Sequence, residues 1–256
     1  MNSFKTRLRN GEALIGSLVT LSSPDVAEIM ALVGFDYLWI DMEHAPIDFA
    51  HVQAMIQAVG GRCPCLVRVP ENSEVWIKKA LDTGCDGIIV PQVKSAAEAK
   101  EAIACCLYSP AGKRSVGIAR AHGYGMSFQD TVHKANEDLM IVLQVEHIEG
   151  VRNIESIVNV PGIDVIFIGP FDLSGSLGVL GQVDHPQVQE AIEEIHRHCA
   201  EARVPAGIFV VDAESAKLSI EEGFSLIALS MDSFYLWKSA KAALDKARDE
   251  SLLEAF

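Results

Sequence analysis

The 256-residue chain is short of positive charge: 21 lysines and arginines stand against 35 aspartates and glutamates, a formal net charge of −14. No basic stripe interrupts that balance, which argues against nucleic acid or any other phosphate-backbone partner. Long hydrophobic runs are missing too. None approaches the roughly eighteen apolar residues of a membrane span, and the opening MNSFKTRLRNGEALIG lacks the apolar core of a signal peptide. The six cysteines, Cys63, Cys65, Cys85, Cys105, Cys106 and Cys199, form no CxxC pair and sit in apolar stretches. That pattern suits reduced, buried thiols and not a zinc or disulfide framework. A cytoplasmic protein without membrane or nucleic-acid partners is the expectation.

What is present is an alternation. Short β-branched runs trade places with amphipathic stretches of helical period, the mark of repeated βα units around a parallel sheet. Strands are expected at 13–20, 37–43, 65–70, 87–93, 140–146, 165–170, 206–211 and 226–231. The intervening helices open on Ser, Asp or Asn caps and several close on Gly. Eight such units in one chain of this length predict a single (β/α)₈ (TIM) barrel domain over residues 1–256. An open doubly wound sheet would have fewer strands and a GxGxxG first turn, which is absent. The connection from Ser109 to Asp138 is too long for a simple link, so a short helix is expected near its end.

In such a barrel the chemistry lies at the carboxyl ends of the strands. Polar residues gather there: Asp41, Glu43 and His44 after strand two, Arg68 on strand three, Gln92 on strand four, Gln144 and Glu146 on strand five, and Asp172 after Gly169-Pro170 on strand six. Gln144 and Glu146 are two apart and share a face. At the mouth of the barrel Glu146 can join Asp172 around a cation, both residues being read as strand-end positions. Two carboxylates select a hard, oxygen-loving ion, Mg²⁺ or Mn²⁺, with Co²⁺ as a further candidate. A 2-keto acid supplies a matching pair of oxygens to such an ion. Arg68 is then placed to hold developing negative charge, and His44, oriented by Asp41 or Glu43, is the side chain suited to move a proton near neutral pH. A buried ion pair between Glu146 and Arg68 would account for both charges without a metal.

The stretches GFDYLWIDMEHAP, LVRVP, IKKALDTGCDGIIVPQV, SPAGKRSVG, VLQVE and GIDVIFIGPFDLS occur in that order. Over almost its whole length the chain resembles the HpcH/HpaI family of class II, metal-dependent pyruvate aldolases. The resemblance implies a (β/α)₈ barrel that reversibly cleaves a 4-hydroxy-2-keto acid into pyruvate and an aldehyde. It implies metal ligands Glu146 and Asp172, an acid–base dyad of His44 and Asp41, and keto-acid contacts from Arg68, Gln144, Phe171 and Asp172. It also implies a homo-oligomer, a hexamer built as a trimer of dimers. The tail SFYLWKSAKAALDKARDESLLEAF would be exchanged between subunits and Asp82 would reach a neighbour's site. The loop Ala119–Gly125 departs from several relatives, which leaves the acceptor aldehyde open.

Three other functions compete. A Schiff-base aldolase would use Lys94, after strand four, but would need an apolar pocket to lower its pKa and would leave Glu146 and Asp172 idle. A lyase of acyl-coenzyme A thioesters would need a basic nucleotide pocket. A non-catalytic binding barrel would leave the whole polar set without a task. Among the other polar residues, His122, His133, His147, His196 and His198 are assigned to the surface, and Trp39, Trp76 and Trp237 to packing. Arg114 and Arg120 are read either as binding an acidic acceptor group or as crossing the surface.

Overall fold

Runs of Val, Ile and Leu too short for a helix form the strands, and a helix follows each to cover its outer face. The computed structural model describes residues 4–248. Its strands are β1 (Leu14–Val19), β2 (Tyr37–Asp41), β3 (Cys65–Arg68), β4 (Gly87–Val90), β5 (Met140–Val145), β6 (Val165–Ile168), β7 (Ala206–Val210) and β8 (Leu226–Met231). All pair in parallel and in chain order, and β8 returns to β1 to close the barrel. Each expected strand is present, but four stop two or three residues early, β2 at Asp41 among them. β3, β4 and β6 end just before Pro70, Pro91 and Pro170, where a missing N–H breaks the ladder.

The helices are α1 (Phe4–Arg9), α2 (Pro24–Val33), α3 (Phe49–Val59), α4 (Glu74–Asp82), α5 (Ala96–Cys106), α6 (Phe128–Asp138), α7 (Ile148–Arg152), α8 (Ile154–Val158), α9 (Pro170–Ser176), α10 (Pro186–Ala202), α11 (Ala213–Glu221) and α12 (Asp232–Arg248). Side chains of Ser23, Asp48, Ser95 and Asp212 each accept a backbone N–H of the following first turn. Such caps contribute about 1 kcal/mol apiece. α6 is the short helix expected near the end of the long connection, whereas α1 and α9 have no counterpart in the sequence reading. Residues 249–256, the end of the tail expected to be exchanged, lie outside the described residues.

Alternation along the strands builds two apolar layers. Leu38 and Ile40 pack outward under the helices, while Tyr37, Trp39, Leu66, Ile89 and Phe167 fill the barrel interior. Room for the large ring of Tyr37 comes from Gly16, where a Cβ would lie 2.5 Å from that ring. Closure is reinforced at the carboxyl end by buried Asp232, whose carboxylate accepts the backbone N–H groups of Thr20 and Leu21 at 2.9 Å each. Among the described residues no helix is long and apolar enough to cross a membrane, and all six cysteines are free.

Several assignments change. His122, read as a surface residue, is fully buried, its Nε2 2.9 Å from the Tyr108 hydroxyl and its ring against Phe128. The long connection folds back on itself and encloses it. Arg114 neither crosses the surface nor lines the strand-end cavity: it is buried, 3.2 Å from Asp82 and over the ring of Tyr108. Arg120 donates to the carbonyls of Thr83 and Gly84 at 2.8 and 3.4 Å. The two arginines thus fasten the connection to the end of α4. Trp237 packs edge-on against Phe234 yet is 54 % exposed, so its packing within the described chain is partial.

Candidate active site

The register of β2 and β3 sets Asp41 beside Arg68, the last residues of their strands. Both side chains are buried. Arg68 donates from Nε to Asp41 Oδ1 at 2.9 Å and from Nη2 to Oδ2 at 2.8 Å. Its Nε is also 3.2 Å from Glu43 Oε2, its Nη1 reaches Gln144 Oε1 at 3.5 Å, and its guanidinium sits 5.1 Å above the Trp39 ring. The alternative pair is not formed: Arg68 takes Asp41 and Glu43 as its ion partners and leaves Glu146 to others.

Gln144 and Glu146 share the inner face of the barrel at the end of β5, as their spacing requires. Glu146 Oε1 accepts the Gln92 backbone N–H at 3.0 Å, and Oε2 accepts from Gln144 Nε2. Across from it stands Gly169, where a Cβ would fall 2.5 Å from Glu146 Oε2 and 2.9 Å from Gln144 Nε2. A glycine there is what leaves room for the carboxylate. Burial, reinforced by the charges of Glu43 and Asp172, pushes the Glu146 carboxyl up to about 7. Burial likewise raises Glu43 against the opposing pull of Arg68.

Asp172 does not sit at a strand end. Pro170 occupies the first turn of α9 and converts the chain to helix immediately after Gly169, so Asp172 is carried on that first turn at the rim of the site. His44 follows β2, with its side chain 61 % exposed; its backbone N–H reaches Asp41 Oδ1 at 3.4 Å, and its ring Nε2 lies 3.6 Å from Glu43 Oε2. The carboxylate nearest the imidazole is therefore that of Glu43, while Asp41 is engaged by Arg68.

His44, Arg68, Gln144, Phe171 and Asp172 line one cavity of about 160 Å³ at the carboxyl end of the barrel. Its floor is apolar, formed by Trp39, Phe167, Phe209 and neighbours. No lysine lines it, and Lys94 is not brought to it. Asp82 is also absent: it ends α4, ahead of β4, at the opposite end of the barrel. A larger cavity of about 330 Å³ near the ends of α4 and α6 holds Asp86 and Arg114 but none of the strand-end carboxylates. Glu43 was legible in the sequence only as an alternative partner of His44, and the roles of Gly169 and of the Gln92 backbone left no signal there.

Among the described residues no cluster of three or more His, Cys, Asp or Glu side chains is arranged around one point. The protein can offer a cation Glu146 and Asp172, and the remaining positions must be filled by water or substrate oxygens. The fit is one of chemistry. A carboxyl raised by burial and then by two neighbouring carboxylates is a place where positive charge is stabilising, and the absence of a Cβ at Gly169 leaves room for its Oε2 beside Gln144.

A model of the HpcH/HpaI aldolase/citrate lyase family matches residues 15–239. The chain is 38 % identical to a hydroxypyruvate/pyruvate aldolase of Paraburkholderia phytofirmans, over 96 % of its own length and 98 % of that protein. It is likewise 38 % identical to a 4-hydroxy-2-oxo-heptane-1,7-dioate aldolase of Escherichia coli, over 94 % and 93 % of the two chains. The crystal structure of a family protein from Burkholderia cenocepacia superposes with a TM-score of 0.93 at 36 % identity, covering 97 % of this chain and all of that one. With the barrel, its strand-end carboxylates and the matched length in agreement, the chain belongs to the HpcH/HpaI aldolase/citrate lyase family.

Proposed function

We propose that the strand-end cavity cleaves, and in the reverse direction forms, the C3–C4 bond of a 4-hydroxy-2-keto acid, yielding pyruvate and an aldehyde, with a divalent cation held by Glu146 and Asp172. The observation that carries this reading is the convergence of Arg68, Asp172 and His44 on one small cavity with no lysine in its wall, with Glu146 buried directly behind the Gln144 and Gly169 that line it. The aldolase names of the relatives support the reaction class. When bound, an oxygen-seeking cation such as Mg²⁺ or Mn²⁺ supplies Lewis acidity to the keto oxygen.

The chain's own groups supply the rest. Arg68, locked by Asp41, presents its remaining N–H donors to the oxygens of the 2-keto acid, where negative charge collects as the carbon–carbon bond breaks. Gln144 and Phe171 border the same space, and the apolar floor keeps water away from the methyl carbon of pyruvate. In cleavage His44 accepts the proton of the C4 hydroxyl as the C3–C4 bond breaks and the aldehyde forms, and gives a proton back to C3 of the enolate to complete pyruvate; in synthesis it takes that methyl proton first and returns one to the new C4 hydroxyl. Glu43 steadies the ring, while Asp41 holds both Arg68 and the backbone at residues 43 and 44.

The assembly belongs to the same reading. Over 236–248, α12 is exposed and carries Leu236, Trp237 and Leu244, an apolar surface suited to a neighbouring barrel. Asp82, paired with Arg114 at the far end of its own barrel, would reach a strand-end cavity only in another subunit. A hexamer arranged as a trimer of dimers, working in the cytoplasm, is the form we propose. Light scattering tests the stoichiometry, since a monomer in solution contradicts it.

The reaction is tested by pyruvate release from a panel of 4-hydroxy-2-keto acids, coupled to lactate dehydrogenase, before and after treatment with EDTA. Activity lost on chelation and regained with Mg²⁺ or Mn²⁺ is the expected result. Chelator-insensitive cleavage together with borohydride trapping of pyruvate would instead favour Lys94. Absence of cleavage combined with retention on immobilised coenzyme A would favour a thioester lyase.

A further inference from the structure

The ladder between β4 and β5 runs as far as Val90 and Leu143 and stops at Pro91, which has no N–H to give. The next two N–H groups still cross to β5, but to different ends. Val93 N–H goes to the Gln144 carbonyl at 3.0 Å, and Gln92 N–H goes to Glu146 Oε1 at 3.0 Å. Between them the backbone turns left-handed: Gln92 has φ 57°. Residues with a Cβ are uncommon in that region and pay for it in steric energy.

The side chain of Gln92 gives no reason for the strain. It is exposed, makes no hydrogen bond to any described residue, and borders a groove with Glu71, Asn72 and Glu98 away from the substrate cavity. The backbone does give one. The left-handed turn directs an amide proton into the barrel mouth, onto an oxygen of a carboxylate that is 98 % buried. The second oxygen is already held by Gln144 Nε2 and faces Gly169.

We infer that Gln92 is a positioning residue for Glu146: its strained backbone N–H holds the carboxylate in the rotamer that receives the cation. The inference rests on the proposed reading of Glu146 as a metal ligand. Strain concentrated next to a functional group and maintained by the surrounding fold is how such preorganisation is stored. What residue 92 must preserve is therefore a backbone conformation and not a side-chain chemistry.

The test is direct Mn²⁺ binding by the full-length protein, followed by electron paramagnetic resonance, together with thermal denaturation of each variant. Glu146→Gln is expected to lose Mn²⁺ binding. Gln92→Val, whose β-branch disfavours positive φ, is expected to raise the Mn²⁺ Kd at least about tenfold, as the loss of a charge-assisted hydrogen bond implies. Gln92→Gly, free to keep the turn, is expected to restore Kd to within about twofold of the native value. Should Gln92→Val not fold, Gln92→Ala reads the same effect at about threefold, its αL penalty being smaller. A Gln92→Val protein with lowered Tm but native Kd, where Glu146→Gln has lost binding, overturns the inference and leaves the ligand reading standing. Native Mn²⁺ binding by Glu146→Gln overturns both.

Discussion

Arg68 and Asp41 form a two-point ion pair at adjacent strand ends, Nε to Oδ1 at 2.9 Å and Nη2 to Oδ2 at 2.8 Å, with both side chains buried. The planar fork leaves the other guanidinium edge to face Gln144 and the cavity. An ammonium group can reproduce the charge but not this geometry. Arg68→Lys is therefore expected to lower kcat/KM for aldol cleavage by about 10²-fold, the usual cost of removing one aligned donor to developing charge. Steady-state kinetics with native-like circular dichroism checks this, and a loss under fivefold contradicts it.

His44 has a side chain 61 % exposed and close to Glu43, so its removal leaves no cavity in the core. His44→Asn is expected to keep the native Tm within about 2 °C, because surface substitutions usually change stability by less than about 0.5 kcal/mol. It should reduce kcat by about 10² to 10⁴, the range of a lost acid–base catalyst. Unchanged kcat would sink the assignment.

Glu146 titrates at about 7 in the cation-free protein, against an ordinary value of 4.5, chiefly because it is buried and then because Glu43 and Asp172 repel its charged form. The folded state holds this proton more tightly than the unfolded chain does. Its contribution to stability is therefore complete below pH 4.5 and is lost as pH rises through 7, by an amount of order 3 kcal/mol. In EDTA, the Tm difference between the native protein and Glu146→Gln should shift against the native protein between pH 5 and 8. Adding Mn²⁺ should raise the native Tm most at the alkaline end, where the carboxylate is free of its proton. A difference that does not change with pH contradicts the assignment.

Gly169→Ala would put a methyl carbon 2.5 Å from Glu146 Oε2 and 2.9 Å from Gln144 Nε2, so the carboxylate must move. Displacements of about 1 Å at a reacting centre can cost about 10²-fold in rate. The expected outcome is a loss of that order in kcat/KM, accompanied by weaker Mn²⁺ binding. Native kinetics would show that the carboxylate has slack that the packing does not suggest.

Much of this arrangement was open to reading along the chain. Eight apolar runs of strand length, separated by capped helical periods, specify a barrel. The carboxyl-end rule then selects Asp41, Arg68, Gln144 and Glu146 without coordinates, because strand alternation assigns side chains to a face. Asp172 shows where that reading fails. Its place depends on Pro170 starting α9, and a strand that runs into Gly-Pro looks continuous until the helix is seen. His122 fails differently: a polar residue in a polar connection carries no periodic signal, and its burial depends on Tyr108 and Phe128, from the two ends of the folded loop, each packing against it.

By itself the sequence determined the number and order of the βα units, the resemblance to one aldolase family, and the set of polar groups at the mouth of the barrel. The units and the polar set follow from periodicity, capping and spacing, and the resemblance from matched stretches of sequence, all of them local properties. Only the tertiary structure decided that Arg68 pairs with Asp41 and not with Glu146, that Glu43 is the carboxylate nearest to His44, and that the Gln92 backbone turns left-handed to reach Glu146. Those choices rest on register, rotamer and burial between residues distant along the chain, where differences of an ångström decide which of several compatible partners a charge will take.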